Sequence, residues 1–361
     1  MALAKTYKTK SFNSVKKIAY IEIDTHAEIA QAFIDIMKDS EAFEVDYYFS
    51  KKIKDQVDEK GESAFLSDSS MILDQLKRKK YDLIIIGTVH RYFNTFLAVT
   101  KKYNTAIITH NLNFTKASKL VLMKSIFKED VIYRLKLWLK EGLLSTSKVY
   151  QSAQSLLILD EALRSDKYQF LPLFYTRSFD KISNEDLIVV IPGGVSQKRR
   201  DYHAVFKTIQ NIKTDKRYEF IFLGKAKDHE LEQLKYLSEQ LHDNVKITYF
   251  SERVSSEYFE KWMQKADVLW CPIQQETEFF SIKEIYGVSK MTGNFGDAIA
   301  YGKLAVFPEN YPSKLDFVIP ERGNIIEELE ELKNTHFDFQ KNYGRKGVLK
   351  NMETILNSLI H

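Results

Sequence analysis

Short, almost continuous apolar segments alternate along the chain with longer segments in which apolar residues recur at helical spacing. One series of apolar segments lies at 17–23, 45–49, 82–87, 105–110 and 155–160, and a second lies at 187–194, 219–224, 245–250, 267–272 and 303–308. Strands that are apolar on both faces are typical of parallel sheets covered by helices on both sides. The pattern therefore predicts an α/β fold with two parallel sheets.

A polar stretch at 176–186 separates the two series and is typical of a linker. We predict a Rossmann-like N-terminal domain over 1–180, a Rossmann-like C-terminal domain over 187–335, and a helix over 336–361 that packs back on the N-terminal domain. Ligands of open α/β sheets bind beyond the carboxyl ends of the strands, so we expect the site in a cleft where the two domains face each other.

Composition narrows the functional class. The 361 residues are 44% hydrophobic and 28% charged, which suits a globular protein with two cores. The single cysteine, Cys271, excludes an internal disulfide framework and fits a reducing cytosol. Residues 1–17 are cationic without an apolar segment, so we expect neither a signal peptide nor a membrane span. A net charge of +4 is too small for a general nucleic-acid binder.

Several common site motifs do not occur in the sequence. It has no G-x-G-x-x-G, H-E-x-x-H or G-x-S-x-G, and no D-x-D triplet of the kind that binds divalent metals. The segment from Gly296 to Lys303 fails as a phosphate-binding P-loop, because five residues separate its glycines and Leu304 follows the lysine. We therefore expect no metal ion and no tightly bound cofactor.

The segment 291–309, MTGNFGDAIAYGKLAVFPE, holds three of the 13 glycines within ten residues. Asn294 is predicted to cap a helix over 297–302, with Asp297 completing a variant capping box and Gly302 ending the helix. The free N–H groups and the positive end of the helix dipole suit a diphosphate. The alternative is a capped helix with ordinary turn glycines.

The residues before this helix would form the anion site. Thr292 and Gly293 lie in the predicted loop, and Lys290 adds a mobile positive charge. Together with the helix start, these residues predict a phosphate-binding loop.

A second anion-binding loop is predicted at IPGGVSQKRR, residues 191–200. Gly193 and Gly194 let the backbone approach an anion closely because no Cβ intervenes. Three cations follow, Lys198, Arg199 and Arg200, of which we select Arg199 as the residue that reaches back; Lys225 follows the next strand. The alternative is a solvated charge cluster, although cations at a helix start oppose the helix dipole.

Three histidines follow three strands of the N-terminal half: His26, His90 and His110. Their positions suggest a common site on that rim. Asp24 and His26 are candidates for binding an acceptor, or for a general base if the reaction inverts configuration. A zinc site is disfavoured because the histidines lack a paired ligand spacing.

Residues 116–148 carry eight Lys/Arg against three Asp/Glu, with apolar residues at helical spacing. A basic amphipathic segment of this kind can lie on an anionic membrane surface. The alternative, which we weight slightly more, is a pair of core helices with solvated outer charges. We expect a cytoplasmic protein, with peripheral attachment to the inner face of the plasma membrane left open.

The pattern ADVLWCPI … GDAIAYGKLAVFP, over 266–308, resembles the C-terminal donor domain of GT-B glycosyltransferases, particularly glycosyltransferase family 4. The resemblance implies that the C-terminal domain binds a nucleotide-diphosphate sugar and the N-terminal domain binds the acceptor, with no metal and with retention of configuration. It further implies that Asp297 binds the ribose hydroxyls, that His110 touches the transferred sugar, and that basic residues at the positions of Arg199 and Lys225 hold the diphosphate.

One position departs from the family pattern. Ser289 stands where the family has its first acid, eight residues before Asp297. A literal E-x7-E spacing at Glu276 and Glu284 has the wrong register with the helix, so chance is the simpler explanation, with entry of Glu276 or Glu278 into the cleft as the alternative.

The sequence thus predicts a hexosyltransferase of the GT-B class that acts on a glycan or lipid-linked glycan. Two alternatives stay open. One is a sugar-nucleotide epimerase of the same fold, and the other is a non-catalytic partner in glycan assembly that has lost donor chemistry.

Overall fold

The structure is a computed structural model that describes residues 15–59, 61–179, 182 and 184–360. Residues 1–14, which carry most of the cationic N-terminal segment, lie outside the described residues. The predicted domain boundary near residue 180 also lies there, because 180, 181 and 183 are not described.

The N-terminal sheet has seven strands in the order β3-β2-β1-β4-β5-β6-β7, and every pairing in it is parallel. The strands are β1 (Lys16–Glu22), β2 (Phe43–Phe49), β3 (Ala64–Leu66), β4 (Leu83–Ile86), β5 (Thr105–Ile108), β6 (Ser155–Ile158) and β7 (Gln169–Phe170). The five predicted strands are all present. The two missed strands, β3 and β7, are edge strands of two or three residues, too short to leave an apolar segment.

Helices cover both faces of this sheet. They are α1 (Ala27–Met37), α2 (Lys51–Lys54), α3 (Ile72–Leu76), α4 (Phe93–Lys102), α5 (Lys119–Ile126), α6 (Val131–Lys136) and α7 (Thr146–Ser152). Single helical turns of other types lie at Phe114–Lys116, Leu137–Glu141, Leu143–Ser145 and Glu161–Leu163. Two separate apolar clusters, one on each face, bury the sheet, as expected for a doubly wound fold.

The C-terminal sheet has six parallel strands in the order β10-β9-β8-β11-β14-β15. The strands are β8 (Leu187–Pro192), β9 (Tyr218–Lys225), β10 (Val245–Phe250), β11 (Val268–Trp270), β14 (Ala305–Phe307) and β15 (Val318–Pro320). Its helices are α8 (Tyr202–Gln210), α9 (Asp228–Gln240), α10 (Ser256–Lys265), α11 (Asn294–Tyr301) and α12 (Ile325–Lys333). Two parallel-sheet domains therefore confirm the predicted fold class.

An antiparallel hairpin, β12 (Glu276–Phe279) and β13 (Ile282–Ile285), projects from the C-terminal domain and stands outside both sheets. The sequence reasoning missed it. Phe279, Phe280 and Ile282 pack against an apolar cluster of the N-terminal domain. The hairpin is therefore a bridge between the domains.

The chain crosses between the domains twice. The first crossing follows β7, and the second connects α13 (Phe339–Tyr343), which packs on the C-terminal core, with α14 (Arg345–Ser358), which packs on the N-terminal core. The two crossings lie side by side, since the Thr176 N–H donates to the Tyr343 carbonyl at 2.9 Å. Met352 and Leu356 of α14 are fully buried, which explains why this helix returns to the N-terminal domain.

Candidate functional site

The three strand-end histidines of the N-terminal domain converge. They follow β1, β4 and β5, which are neighbours in the sheet, so their loops meet at one edge. The His26 and His110 rings stack with centroids 4.1 Å apart, and the His90 ring meets each of them edge-on at 5.8 Å. His26 holds the left-handed conformation at φ 61°, which turns the chain sharply into α1.

One hydrogen bond and the burial of the rings define the protonation of His90 and His110. His110 Nε2 lies 2.9 Å from the Gly87 carbonyl, which can only accept, so Nε2 carries the proton and Nδ1 is left as an acceptor. Burial lowers the pKa of both His90 and His110 well below the ordinary histidine value, so both rings are neutral near pH 7. A neutral ring at the rim can accept a proton from a hydroxyl group.

Asp24 lies beside the histidines in a partly charged pocket. Its Oδ1 is 4.0 Å from Arg91 Nη1, and Arg91 is itself held by Glu141 through an Nε–Oε2 contact of 3.0 Å. Burial raises the pKa of Asp24, and the charges of Arg91 and Lys52 partly offset that effect. Asp24 and His26 therefore share one rim with His110, as the sequence predicted, while their roles stay predictions.

Glu22 is a residue of this rim that the sequence reasoning missed. It is fully buried at the end of β1 and accepts from Thr88 Oγ1 at 2.6 Å and from the backbone N–H groups of Asp24 and Thr25 at 3.1 Å. Burial raises its pKa to about 7. Glu22 therefore orders the loop that carries Asp24 and His26. Its position inside an apolar strand gave no sequence signal.

The opposite rim of the cleft is built around glycine. Gly193, after β8, has φ 103°, and a Cβ on Gly224, near the carboxyl end of β9, would lie 2.3 Å from the Gly193 carbonyl oxygen. The loops after β8 and β9 can therefore touch only because both positions are glycine. Gly194 is exposed, and a Cβ there would meet only the Lys225 carbonyl oxygen at 4.0 Å, so its backbone faces open space.

Arg200, rather than Arg199, turns into this rim. Arg200 Nη2 donates to Asn294 Oδ1 at 3.3 Å, whereas Lys198 and Arg199 are exposed. The Nε of Arg200 is buried and has no hydrogen-bond partner among the described residues. The orientation of the third cation follows from the helix start, where Asp201 caps α8 by accepting from the Ala204 N–H.

Asn294 connects Arg200 with Asp297. Its Nδ2 donates to the Pro192 carbonyl at 3.3 Å and to Asp297 Oδ2 at 3.4 Å. Burial raises the pKa of Asp297 to about 6, while Asn294 and Arg200 act to lower it. An arginine, an asparagine and a carboxylate are thus grouped at the carboxyl end of β8, next to Gly193.

The helix start differs from the prediction. α11 begins at Asn294 rather than at Asp297, and Thr292 Oγ1 accepts from the Asn294 N–H at 3.3 Å. Gly293 therefore occupies the cap position without a capping side chain, and the predicted capping by Asn294 was wrong because Asn294 is already the first residue of the helix. The predicted end at Gly302 is confirmed, with φ 61°. A Cβ on Gly293 would meet nothing within 4 Å, so the loop is open at the helix start.

The two predicted lysines lie apart. Lys290 is partly buried in the cleft, donates to Asn111 Oδ1 of the N-terminal domain, and has its pKa lowered to about 8, chiefly by burial. Lys225 is exposed at the outer end of β9, where its Nζ lies 3.2 Å from Glu252. Lys290 is therefore placed between the two rims, and Lys225 is at the edge of the site.

The two glutamates of the E-x7-E spacing, Glu276 and Glu284, lie in different surroundings. Glu284 is fully buried and accepts from the Phe114 N–H at 2.9 Å and the Asn113 N–H at 3.3 Å. Glu276 and Glu278 are exposed, and Glu276 pairs with Lys283. The two glutamates therefore share no site, so the spacing itself marks none, although Glu284 has buried partners that the sequence did not predict. Glu276 and Glu278 are not buried in the cleft.

Segment 116–148 forms the wall of the N-terminal domain beside the hairpin. Large apolar side chains project from its outer face: Leu120, Val121, Met123, Phe127, Val131, Ile132, Tyr133 and Leu139. Ile132 is 88% exposed and Leu139 is 72% exposed. The segment therefore presents both apolar and charged side chains to the outside, and its contact with a membrane stays a prediction.

Two features are absent from the part of the chain that the structure describes: a metal-binding group of side chains and a membrane-spanning helix. Within it, no group of three or more His, Cys, Asp or Glu side chains is arranged to hold a metal ion, and the three rim histidines do not form such a group. Nor does any helix there have the length and apolarity needed to traverse a bilayer.

No family model and no curated protein matches the chain. Solved structures do match. Anabaena HepE in complex with UDP has a TM-score of 0.57 at 13% identity, covering 95% of this chain and 100% of that one. Sucrose-phosphate synthase from Thermosynechococcus elongatus has a TM-score of 0.54 at 12% identity, covering 95% and 99%.

A third match, UDP-GlcNAc 2-epimerase from Neisseria meningitidis bound to UDP-GlcNAc, has a TM-score of 0.54 at 13% identity, covering 94% of this chain and 100% of that one. Each match spans both domains and the cleft. The fold is GT-B. Because the identities are so low, the GT-B fold is shared without evident shared residues. Any role for Arg200, Asp297 or His110 must therefore be argued from the geometry of this chain.

Proposed function

We propose that this GT-B protein is a glycosyltransferase that moves a hexose-type sugar from a nucleotide-diphosphate donor to a glycan or lipid-linked glycan. The carrying observation is the cluster of Arg200, Asn294 and Asp297 beside the open glycine loops. The unpaired, buried Nε of Arg200 supports a ligand oxygen at that point, because buried N–H groups are seldom left without an acceptor.

The proposal assigns each rim one task. Gly193, Gly194 and the α11 start hold the diphosphate, with Arg200 offsetting its charge. Asp297 accepts two hydrogen bonds from the ribose diol. Lys290, between the rims, adds positive charge as the leaving group departs, so that no metal ion is needed. Retention of configuration is part of the same proposal and rests on the family resemblance alone.

The neutral histidines face the sugar and its acceptor in this scheme. His110 contacts the transferred sugar, and Asp24 with His26 orients the acceptor hydroxyl. The contacts across the cleft exclude water from the reacting atoms, which limits hydrolysis of the donor.

The test is a thermal-shift panel with UDP, GDP, ADP, CMP and TDP, because a ligand that binds only the native state raises its melting temperature. We expect UDP to give the largest shift, since the matched structures of HepE and of the Neisseria meningitidis epimerase are complexes with UDP and UDP-GlcNAc. Asp297→Ala and Arg200→Ala should each abolish the shift, and Arg199→Ala should reduce it less because Arg199 is exposed. No shift with any nucleotide at millimolar concentration would sink the proposal.

An epimerase is the second candidate, because a UDP-GlcNAc 2-epimerase has the same fold at equal similarity. Incubation of UDP-sugars without acceptor separates the two functions. A transferase leaves the sugar configuration unchanged and releases UDP only slowly, whereas an epimerase produces the epimer. If the protein binds no nucleotide, the remaining hypothesis is favoured, that of a non-catalytic partner in glycan assembly.

We further propose that the outer face of 119–140 lies on an anionic membrane. Its exposed apolar residues are bordered by exposed lysines: Lys116, Lys119, Lys124, Lys128, Lys136 and Lys140. Apolar side chains can enter the headgroup region while each lysine contributes about 1 kcal/mol near anionic lipid. This charge complementarity favours a lipid surface over a neutral protein partner.

Sedimentation with vesicles tests the membrane surface. We expect binding to vesicles that contain phosphatidylglycerol, weaker binding to pure phosphatidylcholine, and loss of binding in the double variant Phe127→Asp, Ile132→Asp. Tyr236→Asp is the matched control, because Tyr236 is 62% exposed on a different surface. Failure of the unmodified protein to bind anionic vesicles would refute this surface while leaving the transferase proposal intact.

A further inference from the structure

A short loop of the N-terminal domain is bonded to the C-terminal domain at every residue. Asn111 Oδ1 accepts from Lys290, and the Leu112 N–H donates to the Ser289 carbonyl at 2.8 Å. The N–H groups of Asn113 and Phe114 donate to Glu284. Loop 111–114 directly follows His110, so its position sets one wall of the histidine cluster.

Glu284 is the centre of this junction. It is fully buried, and its hydrogen-bond partners are the two backbone N–H groups and the Ser289 hydroxyl. Ser289 is held in turn, since its Oγ accepts from the Ile285 N–H at 2.9 Å and from Asn113 Nδ2 at 3.2 Å. A carboxylate suits this place because it accepts several hydrogen bonds and has none to donate.

The junction reaches the reacting rim through Asn111. Lysine can only donate, so Asn111 turns its oxygen to Lys290 and its Nδ2 to His90 Nε2, 3.2 Å away. The Phe279 ring of the hairpin packs against the His90 ring with centroids 4.4 Å apart. His90 and Lys290 are therefore both oriented by a loop that Glu284 holds.

We propose that Glu284 is a positioning residue for the transfer reaction: by clamping loop 111–114 across the cleft, it aligns the histidine cluster with Lys290. This inference rests on the proposed function for its chemical consequence, but the clamp itself is independent of the donor. Where the family resemblance places a sugar-binding acid, this chain has Ser289, which serves the clamp instead.

The test compares Glu284→Ala and Glu284→Gln with Glu276→Gln, a matched control on the same hairpin whose side chain is exposed. Hydrogen exchange of residues 110–116, nucleotide affinity, and turnover of the donor sugar are measured on each full-length protein. We expect Glu284→Ala to lose exchange protection at 113 and 114 and to lower kcat by about 10²-fold, as for small displacements of reacting groups. The Kd for the nucleotide should stay within about threefold of the unmodified value, because the nucleotide contacts lie on the other rim.

Glu284→Gln keeps one acceptor oxygen and should recover part of both the protection and the turnover. Glu276→Gln should match the unmodified protein. Wild-type exchange at 113 and 114 in Glu284→Ala, or wild-type kcat, would overturn the proposal. If Glu284→Ala does not fold, Glu284→Gln decides: reduced protection with reduced kcat supports the clamp, and wild-type values of both refute it. Absence of nucleotide binding in the unmodified protein would sink the proposed function, whereas the exchange measurement would still report on the clamp.

Discussion

The two rims of the cleft differ in the chemical groups that form them. On the N-terminal side, buried side chains meet one another, and burial keeps His90 and His110 neutral. On the C-terminal side, glycine backbone and an arginine form an open loop beside a helix start. Under the proposed function, the neutral histidines would serve the acceptor hydroxyl, and the open glycine loop with its arginine would bind the anionic donor.

Removal of His110 should give the largest effect on this comparison. His110→Ala is expected to lower donor turnover by about 10²-fold or more, the usual contribution of a positioned acid–base or polar group, with nucleotide Kd nearly unchanged. Steady-state kinetics with a nucleotide-binding assay separate the two effects. His203→Ala, at an exposed position on α8, is the control. Equal losses of affinity and turnover would contradict the division of labour between the rims.

Removal of Arg200 should act on affinity. A hydrogen bond to a charged group contributes about 1.5–3 kcal/mol, so Arg200→Ala is expected to raise the Kd of the nucleotide roughly 10- to 100-fold. Calorimetric titration measures this change, with Lys198→Ala as the neighbouring control because Lys198 is exposed. An unchanged Kd in Arg200→Ala would mean that the diphosphate lies elsewhere.

The pH dependence of nucleotide binding should follow Asp297. Its pKa of about 6 means that the carboxyl group is protonated below that pH and cannot accept both ribose hydrogen bonds. We expect the Kd to rise by about tenfold per pH unit below pH 6, and Asp297→Asn to remove this dependence. The same slope in Asp297→Asn as in the unmodified protein would assign the titration to another group.

In the ligand-free protein, the contribution of Asp297 to stability has the opposite pH dependence. The native pKa lies above the ordinary value of 3.8, so the native state binds the proton more tightly than the unfolded chain. The contribution of Asp297 to the free energy of unfolding is therefore fully present below pH 3.8 and is lost as pH rises through 6. Melting temperatures of the unmodified protein and Asp297→Asn between pH 4 and 7 check this sign.

Lys225 should have the smallest effect. It is exposed and paired only with Glu252 at the surface, where such pairs contribute less than about 1 kcal/mol. Lys225→Ala is expected to change nucleotide affinity by less than about fivefold. A loss as large as that in Arg200→Ala would show that Lys225 swings into the site when the donor binds.

The sequence was sufficient for the sheets because strands buried on both faces leave unbroken apolar segments. The strands β3, β7 and β15 were not predicted, because two or three residues at a sheet edge are too few to form a recognisable apolar segment. The convergence of three histidines could be anticipated, since successive strands of a parallel sheet end on one edge.

The finer geometry of the site could not be anticipated. Arg199 and Arg200 are adjacent in sequence, and only the turn into α8 determines which one faces inward. Glu22 and Glu284 are buried carboxylates whose partners lie up to 171 residues away, so no local pattern marks them. The roles of these two carboxylates depend on long-range hydrogen bonds, and such pairings cannot be inferred from a single sequence.

The side-by-side crossings at Thr176 and Tyr343 carry a mechanical consequence. Two adjacent chain segments joined by a hydrogen bond resist twisting more than a single linker does. Because both crossings lie together, we expect any relative movement of the domains to be a hinge rotation centred near Thr176 and Tyr343. Such a rotation would have to break the hydrogen bonds of loop 111–114 with Lys290, Ser289 and Glu284, so the contacts that align the histidine cluster also oppose opening of the cleft.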